Sequence, residues 1–80
     1  MAVTSKDKKY YSVVLTDGSE QVSEHMTTSK VGAIEVANYI DEKRKSELKA
    51  SKKFIEVLQV TRVNKDEVLT ETIYYIKYAV

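Results

Sequence analysis

The spacing of apolar residues changes twice along this 80-residue chain, and that change restricts the fold more than any other feature. Two strand-like segments come first, one β-branched and aromatic and the other mostly polar. A segment with apolar residues at helical spacing follows, and two more strand-like segments complete the chain. The pattern therefore predicts the element order ββαββ. The predicted segments are residues 10–15, 20–26, 29–49, 54–63 and 67–80.

Two hairpins on either side of a helix normally form one sheet with the helix across one face. We therefore predict an α+β fold with a four-stranded, mainly antiparallel sheet. A right-handed crossover through the helix would place strands 1 and 4 side by side, parallel and central. This single domain is expected to span residues 9–80, after a flexible N-terminal lead-in at residues 1–8.

The composition excludes several classes of protein. Thirteen Lys and Arg residues balance 12 Asp and Glu residues, so no global field points to a charged partner. The absence of cysteine excludes disulfides and thiolate metal sites. No apolar run approaches the roughly 20 residues that span a bilayer, and the N-terminus lacks the apolar core of a signal peptide. We expect a small cytoplasmic domain.

Turn chemistry predicts which residues face one another in each hairpin. A two-residue turn at Asp17-Gly18 would place Val13 opposite Val22. In the second hairpin, the helix-side face would carry the pairs Val63–Val68, Val57–Tyr74 and Ile55–Ile76, and the opposite face the pairs Leu58–Ile73, Glu56–Tyr75 and Phe54–Lys77.

The face opposite the helix is expected to be apolar, although one helix of this length can cover only one face of the sheet. This indicates a protein-interaction surface, occupied by a second copy of the chain or by another protein. A homodimer could form through the sheet faces or through the edge of strand 3. A small inhibitor that occupies a partner's functional surface is an alternative. The candidate residues are Tyr10, Val14, Phe54, Leu58, Val60, Leu69, Ile73 and Tyr75.

A basic segment at the end of the predicted helix supports a second alternative, a nucleic-acid-binding module. Six positive charges fall within residues 43–53, against one acid, and the open-face aromatic residues could stack unpaired bases. A charge run of this kind also suits the negative end of a helix without any ligand. The candidate residues are Lys43, Arg44, Lys45, Lys49, Lys52 and Lys53.

No pattern in the chain indicates catalysis, a metal site or a cofactor. His25 is the only imidazole, and strand alternation points it away from the face that Glu20 and Glu24 share. Ser23 and His25 would share a face, but no acid is placed to orient the ring. The two glycines form no phosphate-binding loop. We expect a regulator that is not an enzyme and binds no small-molecule substrate and no membrane.

Overall fold

A computed structural model describes residues 9–78. It confirms the predicted order ββαββ and the α+β class. The elements are β1 (Lys9–Thr16), β2 (Gln21–Thr27), α1 (Lys30–Ala50), β3 (Phe54–Asn64) and β4 (Glu67–Ile76). The lead-in predicted at residues 1–8 lies outside the described residues. Between residues 9 and 78, α1 is not apolar enough to qualify as a transmembrane span.

The four strands form one sheet in the order β2-β1-β3-β4, with every neighbouring pair antiparallel. The prediction that strands 1 and 4 are central and parallel is therefore wrong, because β1 and β3 are the central strands. Since β2 and β3 both run antiparallel to β1, they are parallel to each other, and α1 crosses over β1 to join them. The centre thus holds the two strands with the most buried residues, while β4 is exposed along its first six positions.

The first hairpin turns through the four residues Asp17–Glu20 instead of two, because Thr16 pairs with Gln21. The Asp17 carboxylate accepts hydrogen bonds from the backbone N–H groups of Glu20 at 3.0 Å and Ser19 at 2.9 Å. Gly18 adopts a φ of 101°, which a residue without a Cβ reaches at little cost. The longer turn shifts the register, and Val22 lies opposite Leu15 instead of Val13.

The hydrogen bonds in this turn predict a specific response to acid. The backbone N–H groups of Glu20 and Ser19 lower the pKa of Asp17 to about 2. A carboxylate with a depressed folded pKa stabilises the fold above its unfolded pKa of 3.8, and this contribution is lost as the pH falls through about 2. We expect the stability difference between wild type and Asp17→Ala to shrink as pH is lowered from about 5 to about 2. Urea unfolding at several pH values measures it, and a constant difference would contradict the assignment.

Two bulges interrupt the edge strands and change which residues face the helix. In β2, Glu24 is the extra residue between Ser23 and His25, which pair with Val14 and Val13. In β4, Ile73 is the extra residue between Thr72 and Tyr74. A further irregularity lies near the second turn, where Val63 of β3 is the extra residue between Arg62 and Asn64. Because side chains alternate along a strand, each extra residue inverts the parity of everything beyond it.

The predicted helix at residues 29–49 is confirmed to within one residue at each end. Ser29 is the N-cap, and its hydroxyl accepts a 2.9 Å hydrogen bond from the Gly32 N–H. At Arg44 the backbone leaves helical geometry, with φ −125° and ψ 17°, and α1 is kinked there. The helix buries Ala33, Ala37, Ile40 and Leu48 against the sheet.

The core lies between α1 and the face of the sheet it covers. Fully buried residues from the central strands are Val13, Ile55 and Val57, and Leu48 joins them from the helix. Tyrosine hydroxyls attach the end of β4 and the residues after it to the helix, since Tyr74 donates to Asn38 at 2.9 Å and Tyr78 donates to Asp41 at 2.8 Å. Desolvation and the Asp41 carboxylate together raise the pKa of Tyr78 to about 12. The predicted pairs Val57–Tyr74 and Ile55–Ile76 are confirmed on this face.

Candidate interaction surfaces

The face of the sheet opposite α1, called the outer face here, is covered by no element within residues 9–78. Its central rows come from β1 and β3, which alternate between this face and the core. The outer-face pairs are Tyr10–Val60, Ser12–Leu58, Val14–Glu56 and Thr16–Phe54.

One part of the outer face is uncharged, and we call it the uncharged centre. Val14, Leu58 and Val60 form its floor and are each less than 10% exposed, with Tyr10 packed against them. They lie under an open depression of about 320 Å³. Its polar lining includes Ser12 and Ser23, whose hydroxyl oxygens are 3.2 Å apart. Its apolar walls include Met26 and Val68, which are 59% and 47% exposed.

The other part of the outer face lies where β3 begins, and we call it the aromatic end. It contains Phe54, Glu56, Tyr75 and Lys77. The ammonium of Lys77 lies 5.0 Å from the centre of the Phe54 ring and 5.2 Å from that of Tyr75, within cation–π range of both. Tyr75 is 58% exposed, and Glu56 is half-buried between Val14 and Tyr75 in the neighbouring strands.

Two predicted members of the surface, Leu69 and Ile73, do not lie on the outer face. Ile73 is the bulged residue of β4 and packs against the core cluster under α1. Leu69 lies opposite Thr61, which is on the same side of β3 as Gln59. The Gln59 side chain accepts a long hydrogen bond of 3.5 Å from the hydroxyl of Tyr11, a core-side residue, so Leu69 also lies on the core side.

The predicted pair Leu58–Ile73 is wrong because Ile73 is bulged, and Leu58 lies opposite Thr72. The pair Val63–Val68 is wrong because Val63 is the extra residue between Arg62 and Asn64, and Val68 lies opposite Arg62.

Met26 and Val68 are outer-face residues that sequence reasoning missed. Met26 belongs to the polar strand β2, where no apolar periodicity marks it. Val68 was expected on the helix side of the sheet. One signal in the sequence could have placed Val68 correctly. Glu67 and Glu71 point to the same side of β4 as Leu69, whereas the positions between them, including Val68, carry no charge and are better suited to an apolar face.

The predicted basic residues gather at the C-terminal half of α1, but Arg44 has a structural role there. Its guanidinium donates to the Glu47 carboxylate at 2.8 Å and reaches Glu24 of β2 at 3.4 Å. The hydrogen bond between Arg44 and Glu47 raises the pKa of Arg44 and lowers that of Glu47. Arg44 therefore connects the kink to the edge strand, whereas the lysines of this segment form no salt bridge within residues 9–78. Lys43, Lys45, Lys49 and Lys52 are exposed, and Lys53 is half-buried.

Lys52 ends the helix in a conformation that usually favours glycine. Its φ is 59°, its N–H donates to the Lys49 carbonyl at 3.2 Å, and the Lys53 N–H donates to the Leu48 carbonyl at 2.9 Å. These two bonds form a Schellman motif with Lys52 at the left-handed position. A side chain there costs about 1 kcal/mol relative to glycine.

We expect Lys52→Gly to raise the free energy of unfolding by about 1 kcal/mol, because it relieves this strain. Lys52→Ala is the matched control, since it removes the same charge but keeps a Cβ, and it should leave stability within about 0.5 kcal/mol of wild type. Urea denaturation of the three proteins distinguishes them. Equal stability of the Gly and Ala variants would show that Lys52 is not strained.

The arrangement of Ser23 and His25 offers no catalytic pair. The Glu24 bulge places Ser23 opposite Val14 on the outer face and His25 opposite Val13 on the core side, so the expectation that they share a face is wrong. Within residues 9–78, no group of three or more His, Cys, Asp or Glu residues is arranged to hold a metal ion.

A function for this chain has to be argued from its own residues, because comparisons with known proteins give no match. No protein-family model, no curated protein and no solved structure matches this chain.

Proposed function

We propose that this chain is a non-enzymatic protein-interaction module that self-associates through the uncharged centre of its outer face. The observation that carries the proposal is an open, uncharged depression above the buried apolar floor of Val14, Leu58 and Val60, flanked by the half-exposed Met26 and Val68. Interfaces bury an apolar, charge-depleted centre inside a polar rim, and this face has that composition.

The edges of the sheet are less suited to association than its face. Both edge strands carry a bulge, at Glu24 in β2 and at Ile73 in β4. Bulged edges resist the continuous backbone pairing that joins two sheets edge to edge. A dimer through the edge of β3 is excluded, because β3 lies between β1 and β4. These features support a face-to-face arrangement.

A second copy is the occupant that suits the uncharged centre best. The lining of the depression carries no charge, so it offers nothing to select an acidic or a basic partner. A two-fold axis requires the same patch on both subunits, and this patch supplies projecting side chains, Met26 and Val68, next to a depression that can receive them. The principal extents of 50 × 24 × 16 Å give a broad side large enough for the about 800 Å² per partner of a standard interface.

Sedimentation equilibrium at about 0.1 M and about 1 M salt tests the proposal, because salt screens charged contacts and leaves apolar ones. We expect twice the chain mass of 9.1 kDa at both concentrations. A monomer at both would contradict self-association and leave a different protein, such as the target of a small inhibitor, as the occupant. A dimer at low salt alone would assign the contact to charges and contradict the role of the apolar centre.

A further inference from the structure

The charges of this near-neutral chain are divided between two regions. Residues 43–53 hold six of the 13 basic residues and one of the 12 acidic residues, so the rest of the chain holds seven basic and eleven acidic residues. Glu47, the single acid of the segment, is already paired with Arg44. One region is therefore strongly positive although the net charge of the whole chain is only +1.

The basic segment leads directly into the aromatic end. Lys52 and Lys53 immediately precede Phe54, the first residue of β3. Lys77 adds a further positive charge between the rings of Phe54 and Tyr75. Lys52, Lys53 and Lys77 thus lie at the same end of the sheet as the exposed ring of Tyr75, and none of these residues lines the depression of the uncharged centre.

We propose that this end of the molecule binds single-stranded nucleic acid. The lysines of the basic segment and Lys77 contact phosphates, while Tyr75 and Phe54 stack on unpaired bases. Glu56, the acid on the same part of the outer face, lies opposite Tyr75 and is half-buried. The adjacent rings favour a nucleic acid over an acidic peptide, because bases use ring stacking and acidic side chains do not.

This second surface does not depend on self-association. The residues assigned to the uncharged centre differ from those assigned to the nucleic-acid surface, so each can fail without the other. A dimer would present two copies of the nucleic-acid surface.

Fluorescence anisotropy with a labelled oligothymidylate of about 12 nucleotides tests the inference. If about four phosphates are engaged, affinity falls about 50-fold between 50 and 200 mM salt. Lys49→Glu combined with Lys52→Glu should weaken binding at least about tenfold. The matched control, Lys30→Glu with Lys65→Glu, makes the same change in net charge at exposed lysines outside the segment and should change affinity less than about threefold.

A second pair of variants tests stacking. Tyr75→Ala should weaken binding about tenfold. The matched control, Tyr75→Phe, keeps the ring and removes only the hydroxyl, and it should have little effect on binding. No binding at 50 mM salt, or equal losses for either variant and its control, would overturn the inference. Competition by polyglutamate as strong as that by unlabelled oligothymidylate would reassign the surface to an acidic protein partner.

Discussion

Leu48→Ala is expected to lower the free energy of unfolding by about 3 kcal/mol, because the side chain is 1% exposed and its removal leaves a cavity in the core. Beyond the kink at Arg44, Leu48 is the buried residue that holds the second half of α1 against the sheet. Its loss should therefore also loosen the segment that carries the basic residues. Urea denaturation at fixed protein concentration measures the change.

Two further leucines provide matched controls for the same substitution. Leu58 on the outer face is 8% exposed, and Leu58→Ala should cost about 2 kcal/mol. Leu69 is 58% exposed, and Leu69→Ala should cost less than about 0.5 kcal/mol. A larger loss at Leu69 than at Leu48 would contradict the assignment of the core to the space between α1 and the sheet.

The combined variant Met26→Lys and Val68→Lys is expected to weaken the dimer at least about 100-fold, because it places four charges in an apolar interface. Both side chains are half-exposed in the monomer, so the variant should keep the fold. Sedimentation equilibrium over a range of concentrations gives the dissociation constant, and circular dichroism checks the fold.

The matched control substitutes two residues of the same strands, β2 and β4, that lie on the core side of the sheet instead of the outer face. Val22 and Leu69 are 51% and 58% exposed, and they lie opposite the core-side residues Leu15 and Thr61. Val22→Lys with Leu69→Lys should leave the dimer unchanged. Equal weakening by both double variants would mean that the effect comes from net charge instead of the outer face.

The order of elements could be predicted from the sequence because β-branched and aromatic segments mark three strands, apolar residues at helical spacing mark the helix, and the Asp17-Gly18 turn signal implies the polar strand β2. The helix bounds followed from Ser29, a strong N-cap residue, and from the apolar spacing after it. The order of strands in the sheet was not predictable by the same route, since period and composition do not say which strands pair. A preference for a right-handed crossover between strands 1 and 4 gave the wrong neighbours; β3 pairs with β1 instead.

The errors at the candidate site come from single extra residues. A bulge leaves no mark in the hydrophobic pattern, yet the irregularities at Val63 and Ile73 together shift the register between them, which removes Leu69 and Ile73 from the outer face and brings Val68 onto it. Nearer the aromatic end the register is unaffected, and Glu56 pairs with Tyr75 as predicted. The apolar residues shared by the central strands β1 and β3, from Tyr10 to Leu15 and from Phe54 to Val60, pair without a register shift and are those that the sequence placed correctly.

Intermolecular nuclear Overhauser effects from the methyl group of Met26 test self-association through the outer face most directly. The chain has two methionines, so ¹³C-methyl labelling gives two signals, from Met1 and Met26. In a mixture of labelled and unlabelled chains, isotope-filtered spectra should show contacts from Met26 to Val68, Leu58 or Val60 of the partner. Contacts to Val22 or Leu69 instead, or none at concentrations where sedimentation gives a dimer, would contradict the proposed interface.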